Sequence, residues 1–583
     1  MAANKVLVLD ADGRAGVACM QSLGRTGNEV HIGVRKLGST AERSRWCHRA
    51  HAQPAPEPVD VAVDWLVELD RRHGFTLVLA TTEASLRWLR AMPEGHPVRA
   101  KAILPSDAAL DAALDKAVTT AIALELGLPV PASRHWPGGL EAPAEPTATL
   151  RAAAGPPTRY PVVLKPVRSK VVMGRRLVSL SVSIAHDASA RDATLASWLP
   201  YTSVQEQVWV PGRGVGVEVL YEGGRMVWHF VHERLHEWPL TGGASTLRRA
   251  GSDDAALVEM TRQLLDRLGW HGVAMVEWRR AADGSLHLME INPRLWGSLP
   301  LTIAAGVDVP QGLLSIALGR PVPPARGWRV GVTARNLTDD IKWFIGNLRA
   351  DRGDPMLLTE PPWRAALGWL RVLTGRESWD GWSWRDTRVA RAEVAALLSH
   401  RMQTVVDRIE RRAAVSRARK RHRFLLGAPP ATLGATPSVL FLCLGNICRS
   451  PFAAAAARAR LAGVHVDSAG FLRHDGRPSP PHIIAAAESM GFDLTAAQAR
   501  RLTADQVAAA SLVVCMDVAH LSLMAVEFPE AMDKTTLLGL FEPEGPVEIR
   551  DPYDMSIDDT RTIFRQMLRA IDGLARSPVL PRA

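Results

Sequence analysis

The chain opens on KVLVLD, a short apolar run of β type, and repeats the pattern at FTLVLATT, with helically spaced segments such as GVACMQSLG between them. This alternation predicts an α/β domain over residues 1–100. Residues 101–325 continue with strand-like runs, among them YPVVLKP, VQEQVWV, GVAMVEW and HLMEIN, separated by helical stretches, which predicts an α+β domain. Over residues 326–435 β-like runs thin out. WRAALGWLRVL and ESWDGWSW read as helical and predict a cap packed on the preceding body. The charged amphipathic RRAAVSRARKRHRFLLG then gives way to APPATLGATPS, a linker by its Pro, Gly and Thr. SVLFL starts a further α/β domain over residues 436–583. No internal repeat is evident.

Composition supports several folded units. A chain of 583 residues exceeds what one core holds, since cores stop growing near ~250–300 residues. With 47% hydrophobic and 22% charged residues it reads as soluble and globular, and no apolar run is long enough to span a bilayer. The N-terminus enters a strand at once, without a basic region followed by a signal-type apolar stretch, so a cytoplasmic protein is expected. Five cysteines, an odd count without zinc-type CxxC spacing, suggest neither a disulfide framework nor a structural zinc site. The net charge of +10 is concentrated between Arg408 and Arg423. A solvated basic helix is the expectation there. Weak contact of this basic, Trp-rich connector with a membrane surface is the alternative, and no nucleic acid is expected. All 18 tryptophans lie between Trp46 and Trp384, which marks the C-terminal domain as a unit of separate origin.

The sharpest chemistry lies in SVLFLCLGNICRSPFAAAAARARL. VLFL is a buried-strand run, and Pro451 sits in the first turn of an alanine-rich helix. Between them, Cys443-x5-Arg449-Ser450 forms a loop whose backbone N–H groups converge on one phosphate at a helix N-terminus. The same N–H groups favour a thiolate at Cys443. Arg449 offers a planar fork for two phosphoryl oxygens. Spacing alone is not decisive, because Cys19-x5-Arg25 shares it; Cys19, however, falls inside a helical run whose N–H groups are already committed.

CLGNICRSP, followed in order by DSAGF at Asp467–Phe471, RRLTADQ, VVCMD ending in Asp517 and DPYD at Asp551–Asp554, resembles the low-molecular-weight protein-tyrosine phosphatases throughout residues 436–583. The resemblance implies a four-stranded parallel-sheet domain needing no cofactor. It also implies that Cys443 attacks phosphorus to give a cysteinyl-phosphate, Arg449 clamps the phosphoryl group, Ser450 assists the thiolate and Asn446 holds the loop. Asp551 would protonate the leaving phenolate and then activate water, Tyr553 would line the entrance, and Cys448 would trap oxidised Cys443 as a disulfide. Two departures, Phe471 after SAG and Ala497 before the AR pair, touch substrate shape. Arsenate reduction on this fold needs a further cysteine pair, and within residues 436–583 only Cys515 is present outside the loop.

In the N-terminal part, HLMEINPR puts Glu290 and Asn292 on one face of a strand, with Glu277 ending another strand 13 residues earlier. Two carboxylates and an amide oxygen suit Mg²⁺ bridging phosphates. Together with Lys116 in LDKAVTT, Lys165 in YPVVLKP, VQEQVWVPG, TGGAS and EINPRLWGS, this resembles the ATP-grasp enzymes of carbamoyl-phosphate-synthase-like or carboxylate-amine ligase type over residues 1–325. The resemblance implies a pre-ATP-grasp α/β domain followed by the ATP-grasp domain. Lys116 and Lys165 would bind nucleotide phosphates, Glu206 and Val208 present the adenine edge, and Arg294 face the reacting phosphate. Glu277, Glu290 and Asn292 would hold Mg²⁺. RSKVVMGRR, rich in charge and poor in glycine, would be the phosphate flap. The start VLVLDADGRAG also resembles haloacid-dehalogenase phosphatases, but the chain continues into ATP-grasp motifs instead.

A bifunctional enzyme is therefore expected. It would pair hydrolysis of phosphotyrosine-type or small aryl and alkyl phosphomonoesters with Mg-ATP-dependent ligation of an unnamed carboxylate to an amine. The alternative makes the ATP-grasp part a nucleotide-binding scaffold that regulates the phosphatase.

Overall fold

The computed structural model describes residues 3–138, 160–167, 170–173, 176–324, 327–354, 356–371, 377–427, 437–472 and 475–580. It divides into two compact units, Met1–Leu397 and Leu398–Ala583.

The first unit begins with four parallel strands, β1 (Lys5–Val8), β2 (Glu29–Val34), β3 (Arg49–Ala52) and β4 (Leu77–Leu79), in the order β3-β2-β1-β4. β1 reads as an unbroken apolar run because both its faces are covered. Val6 and Val8 pack with Cys19, Met20 and Leu23 of the helix Arg14–Gly24, whereas Leu7 packs with Leu66, Trp88 and Leu89 on the other side. A smaller antiparallel sheet follows, built from β5 (Ser133–Trp136), β6 (Val162–Pro166), β9 (Ser183–Ala185) and β10 (Val204–Val208) in the order β5-β10-β6-β9; β7 (Lys170–Met173) and β8 (Arg176–Ser179) pair separately. Of the expected phosphate flap, Arg168, Ser169, Gly174 and Arg175 lie outside the described residues.

A seven-stranded sheet forms the body of this unit. Its strands are β11 (Arg213–Glu222), β12 (Arg225–Trp238), β13 (Ala244–Ala250), β14 (Gly272–Arg280), β15 (Leu286–Asn292), β16 (Thr333–Arg335) and β17 (Glu377–Trp379), in the order β15-β14-β11-β12-β13-β16-β17. Period-2 alternation on β11 sends Val215, Val217, Val219 and Tyr221 into a core with Trp270 and Trp278. The opposite face of β11 carries Gly214, Gly216 and Glu218. WRAALGWLRVL is helical over Pro362–Leu370 as expected, but ESWDGWSW is not. It supplies β17 and then turns at Asp380-Gly381, where Gly381 has φ +76°. The strand is held by a long-range contact invisible in the local pattern: Glu377 accepts from buried Arg335 at 2.6 Å. Among the described residues no single helix is long and apolar enough to cross a membrane. Trp363 and Trp384 of the connector are exposed.

The second unit is a four-stranded parallel sheet, β18 (Ser438–Cys443), β19 (His465–Gly470), β20 (Leu512–Cys515) and β21 (Thr535–Leu537), in the order β19-β18-β20-β21. Val439, Phe441 and Cys443 face one helix layer, with Phe452 and Phe564; Leu440 and Leu442 face the other. The basic stretch is part of a long helix, Arg388–Gly427. Within the second unit its Ala414, Val415 and Ala418 pack beside Leu440 and Leu442, and His422 Nδ1 lies 3.0 Å from Thr536 Oγ1. Arg412, Arg417, Arg419, Lys420 and Arg423 stay on the solvent side, as a solvated basic helix requires.

Candidate functional sites

Cys443 ends β18, and the next five residues turn the chain into the helix Arg449–Arg458. The turn is made by Asn446 in the left-handed region, φ +52°, which asparagine tolerates because its short side chain bonds locally. Its amide nitrogen donates to Ser450 Oγ at 2.9 Å and to Ser468 Oγ at 3.0 Å, and its carbonyl oxygen accepts the Arg500 N–H at 2.9 Å. The Cys443 sulfur, 3% exposed, accepts from the Asn446 N–H at 3.2 Å and from the Ser450 hydroxyl at 3.1 Å. Both donors favour negative charge on sulfur. By contrast Cys19 lies fully buried in a helix, and burial pushes its thiol up.

Arg449 is gripped from two sides. Its Nη1 donates to Asp517 at 2.7 Å and to the Ile549 carbonyl at 3.1 Å; its Nη2 donates to Asp551 at 2.7 Å. Its Nε is buried and has no partner among the described residues. Asp551 is half-exposed and also accepts the Tyr553 N–H at 3.3 Å, while the Tyr553 hydroxyl accepts from Arg477 at 2.7 Å. Cys448 is buried, and burial, with Asp551 and Cys443 beside it, pushes its thiol up to about 12. Phe471 stacks on His520, ring centroids 5.9 Å apart, and burial lowers His520 to about 4. Arg449, Asp551, Asp517 and His520 line a cavity of about 1140 Å³, and its remaining wall includes Arg411 and Arg417 of the basic helix. Arg411 donates to Glu548 at 2.7 Å, which in turn accepts the Val518 N–H.

In the first unit Glu277 and Glu290 face each other across the β14/β15 pair. Asn292, two residues on from Glu290, donates to both carboxylates at 3.1 Å. The three side chains converge as a Mg²⁺ site requires, with the amide turned so that nitrogen rather than oxygen bridges the carboxylates. Burial raises Glu277 above the ordinary carboxylate range despite its ion pair with Arg234. Burial acts the same way on Glu290, but Lys116, 3.8 Å away, and Lys165 outweigh it and hold Glu290 below that range. Lys165, on β6, is lowered to about 8 by burial. Lys165, Val208, Glu277, Glu290, Asn292 and Arg294 all line one cavity of about 770 Å³.

Two expected nucleotide contacts sit differently. The Glu206 side chain is fully buried and accepts from Trp136 Nε1 at 2.6 Å, and the Val208 N–H is committed to the Ala132 carbonyl at 2.9 Å. Sequence reasoning also missed Arg14, Arg234, Glu237 and Arg279, which line the same cavity. Arg234 Nε and Arg279 Nε and Nη2 are buried donors without partners among the described residues, a concentration suited to anions, and the carboxylate oxygen Glu237 Oε1, an acceptor, is unpartnered there too. Arg279, two residues beyond Glu277 on one strand face, was the available signal.

Comparison with known proteins agrees with this division. A family model for low molecular weight phosphotyrosine protein phosphatases matches residues 438–578, and one for ATP-grasp in the biosynthetic pathway with Ter operon matches residues 208–339. The chain is 32% identical over 136 residues to a probable low molecular weight protein-tyrosine-phosphatase EpsP of Ralstonia nicotianae, covering 23% of this chain and 92% of that protein. It is 33% identical over 138 residues to a protein-arginine-phosphatase of Geobacillus stearothermophilus, covering 24% of this chain and 93% of that one. A solved L-amino acid ligase from Bacillus licheniformis aligns at 17% identity over 56% of this chain and 78% of that one, with a TM-score of 0.40.

Proposed function

Through residues 438–578 the chain belongs to the low molecular weight phosphotyrosine protein phosphatase family, and it also carries an ATP-grasp domain; from this pairing we propose a bifunctional enzyme, a phosphotyrosine-type phosphomonoesterase joined to a Mg-ATP-dependent carboxylate-amine ligase. The phosphatase reading rests on one juxtaposition: a buried thiol accepting two hydrogen bonds, beside an arginine whose Nε has no partner among the described residues.

In this reading an arriving phosphate dianion draws Arg449 Nη2 away from Asp551, while Asp517 and the Ile549 carbonyl keep Nη1 in place. Asp551, released from the ion pair, is the proposed proton donor. Cys443 sulfur attacks phosphorus, the P–O bond to the leaving phenolate breaks, and Asp551 protonates that oxygen. Water then attacks the cysteinyl-phosphate, giving its proton to Asp551, and the P–S bond breaks to restore the thiolate. Ser450 and the Asn446 N–H hold that thiolate between steps. Leu444 and Leu472, both 41% exposed, join Tyr553 in supplying an apolar entrance that favours a flat aryl ester over a phosphoguanidinium. Cys448 would capture Cys443 sulfenic acid as a disulfide, and its elevated thiol would make that closure slow at neutral pH. A nucleophilic thiol calls for a reducing compartment, the cytoplasm.

Hydrolysis of an aryl phosphate is expected to vanish in Cys443→Ser and to fall by ~10²–10⁴-fold in Asp551→Asn. Full activity in Cys443→Ser rejects the nucleophile. Comparing kcat/KM on phosphotyrosine and phosphoarginine peptides tests the entrance argument.

At the other site Lys116 and Lys165 would neutralise nucleotide phosphates and Arg294 would face the transferred one. Glu277, Glu290 and Asn292 would hold Mg²⁺, which when bound screens charge on the phosphates. The backbone of Glu206 to Val208 would receive adenine only by exchanging the Val208–Ala132 bond. A substrate carboxylate attacks the γ-phosphorus, ADP leaves, and an amine displaces phosphate from the resulting acyl phosphate. Arg234 Nε and Arg279 Nε and Nη2, without partners among the described residues, suit the acidic substrate. ADP formation with Mg-ATP and a panel of carboxylates and amines should be lost in Glu290→Gln. Nucleotide binding without ADP formation from any of them would leave the regulatory scaffold standing instead.

A further inference from the structure

The first four-stranded sheet gathers a histidine cluster that neither proposed site uses. Glu29 and His31 lie two apart on β2 and so share a face. His51, which pairs with Gly33 in the β2/β3 register, lies on that same face, and His73 ends the helix Val59–His73. His31 Nδ1 is 2.9 Å from His51 Nε2, and one ring nitrogen from each of His31, His51 and His73 lies within 4.8 Å of the others. On its far side His31 Nε2 is 2.9 Å from Glu29 Oε1. A carboxylate accepts only, so Nε2 carries the proton, and the lone pair of His31 sits on Nδ1, facing His51 and His73.

We propose that His31, His51 and His73 bind one divalent transition-metal ion, zinc by preference, with Glu29 orienting His31 from outside the coordination sphere. Zinc bonds to imidazole at ~2.0–2.1 Å in tetrahedral geometry, which sets ligand nitrogens about 3.3 Å apart. His31 Nδ1 and His51 Nε2, now 2.9 Å apart, would open by a few tenths of an ångström, and a His73 nitrogen lies within 4.8 Å of the other two, so ring rotations assemble the site. A metal-bound histidine that donates its other N–H to a carboxylate is the usual outer-shell arrangement, and it is already built here. Burial, first among several causes, favours the neutral ligating form of all three rings. Glu29 offsets one of the two nearby cations, Lys5 and Arg49. His31 is fully buried whereas His51 and His73 are partly exposed, which leaves a fourth position for water. Bound there, the ion ties β2, β3 and a helix end together, a structural role.

The test uses the full chain in a Cys443→Ser background, which removes a competing thiol. After chelator treatment it is titrated with zinc by calorimetry and with cobalt by visible absorption. One zinc equivalent is expected to disappear in His51→Ala/His73→Ala, together with the cobalt bands of four-coordinate geometry. Glu29→Gln should weaken zinc binding by about 10–100-fold. Circular dichroism checks folding, and should the double variant unfold, His73→Gln alone at the helix end gives the same readout. Equal zinc stoichiometry and affinity in parent and His73→Gln, or no stoichiometric zinc on the folded parent, overturns the proposal and leaves a hydrogen-bonded histidine cluster only.

Discussion

Arg449 is shared at rest between two carboxylates of different standing, Asp551 at the mouth and Asp517 beneath it. Asp517→Asn keeps the shape of its side chain but loosens the guanidinium, so kcat/KM on an aryl phosphate should drop about tenfold, near 1.4 kcal/mol of transition-state stabilisation. In the other unit, Lys165 is lowered to about 8 by burial. The free protein therefore loses the Lys165 proton as pH rises through about 8, whereas phosphate oxygens favour the charged form. Nucleotide binding at pH 8.5 should take up protons and weaken as pH rises further. Calorimetry in buffers of different ionisation enthalpy measures this, and Lys165→Met should abolish it. Cys443, Arg449 and Ser450 were legible in the sequence because one short loop carries them all. The Asp517 grip on Arg449, and Arg234 in the ATP-grasp cavity, were not, because each reaches its site from a strand end or a neighbouring strand distant in the chain.

The elements owe part of their arrangement to missing side chains. A Cβ on Gly470, at the end of β19, would stand 2.8 Å from the Asn446 nitrogen and 2.9 Å from the Leu444 oxygen. Both are backbone atoms and cannot swing aside, so Gly470→Ala should shift the phosphate loop. It should cost about 1–3 kcal/mol of stability, read from thermal unfolding, and depress kcat more than KM. β11 does the same for the other site. A Cβ on Gly216 would meet the buried His232 ring at 2.1 Å, and one on Gly214 would meet Glu237 and Arg234. The alternating pattern of β11 was readable along the chain, but the use of its glycines as clearance became visible only with the partner strand beside it. The same holds for β17, whose aromatic sequence fits a helix locally and a strand once Arg335 and β16 are in place.

At the scale of the whole chain, the C-terminal unit begins at Leu398, well before its first strand. Ala418 and Leu425 of the long helix are buried in that unit. A fragment spanning residues 398–583 should unfold cooperatively and hydrolyse aryl phosphates. Starting at residue 436 instead removes burial worth on the order of 4 kcal/mol and should lower the unfolding midpoint by about 10 °C, measurable by calorimetry. The expected linker APPATLGATPS lies almost entirely outside the described residues, between the long helix and β18, and the compact unit begins upstream of it, because helix–sheet burial leaves no compositional scar. This has a consequence for how such a chain can be rearranged by recombination. A gene split at the proline-rich break would strand an apolar stripe on one product and its cover on the other. A split ahead of Leu398 would keep the part of the long helix that packs on the parallel sheet together with the sheet it covers.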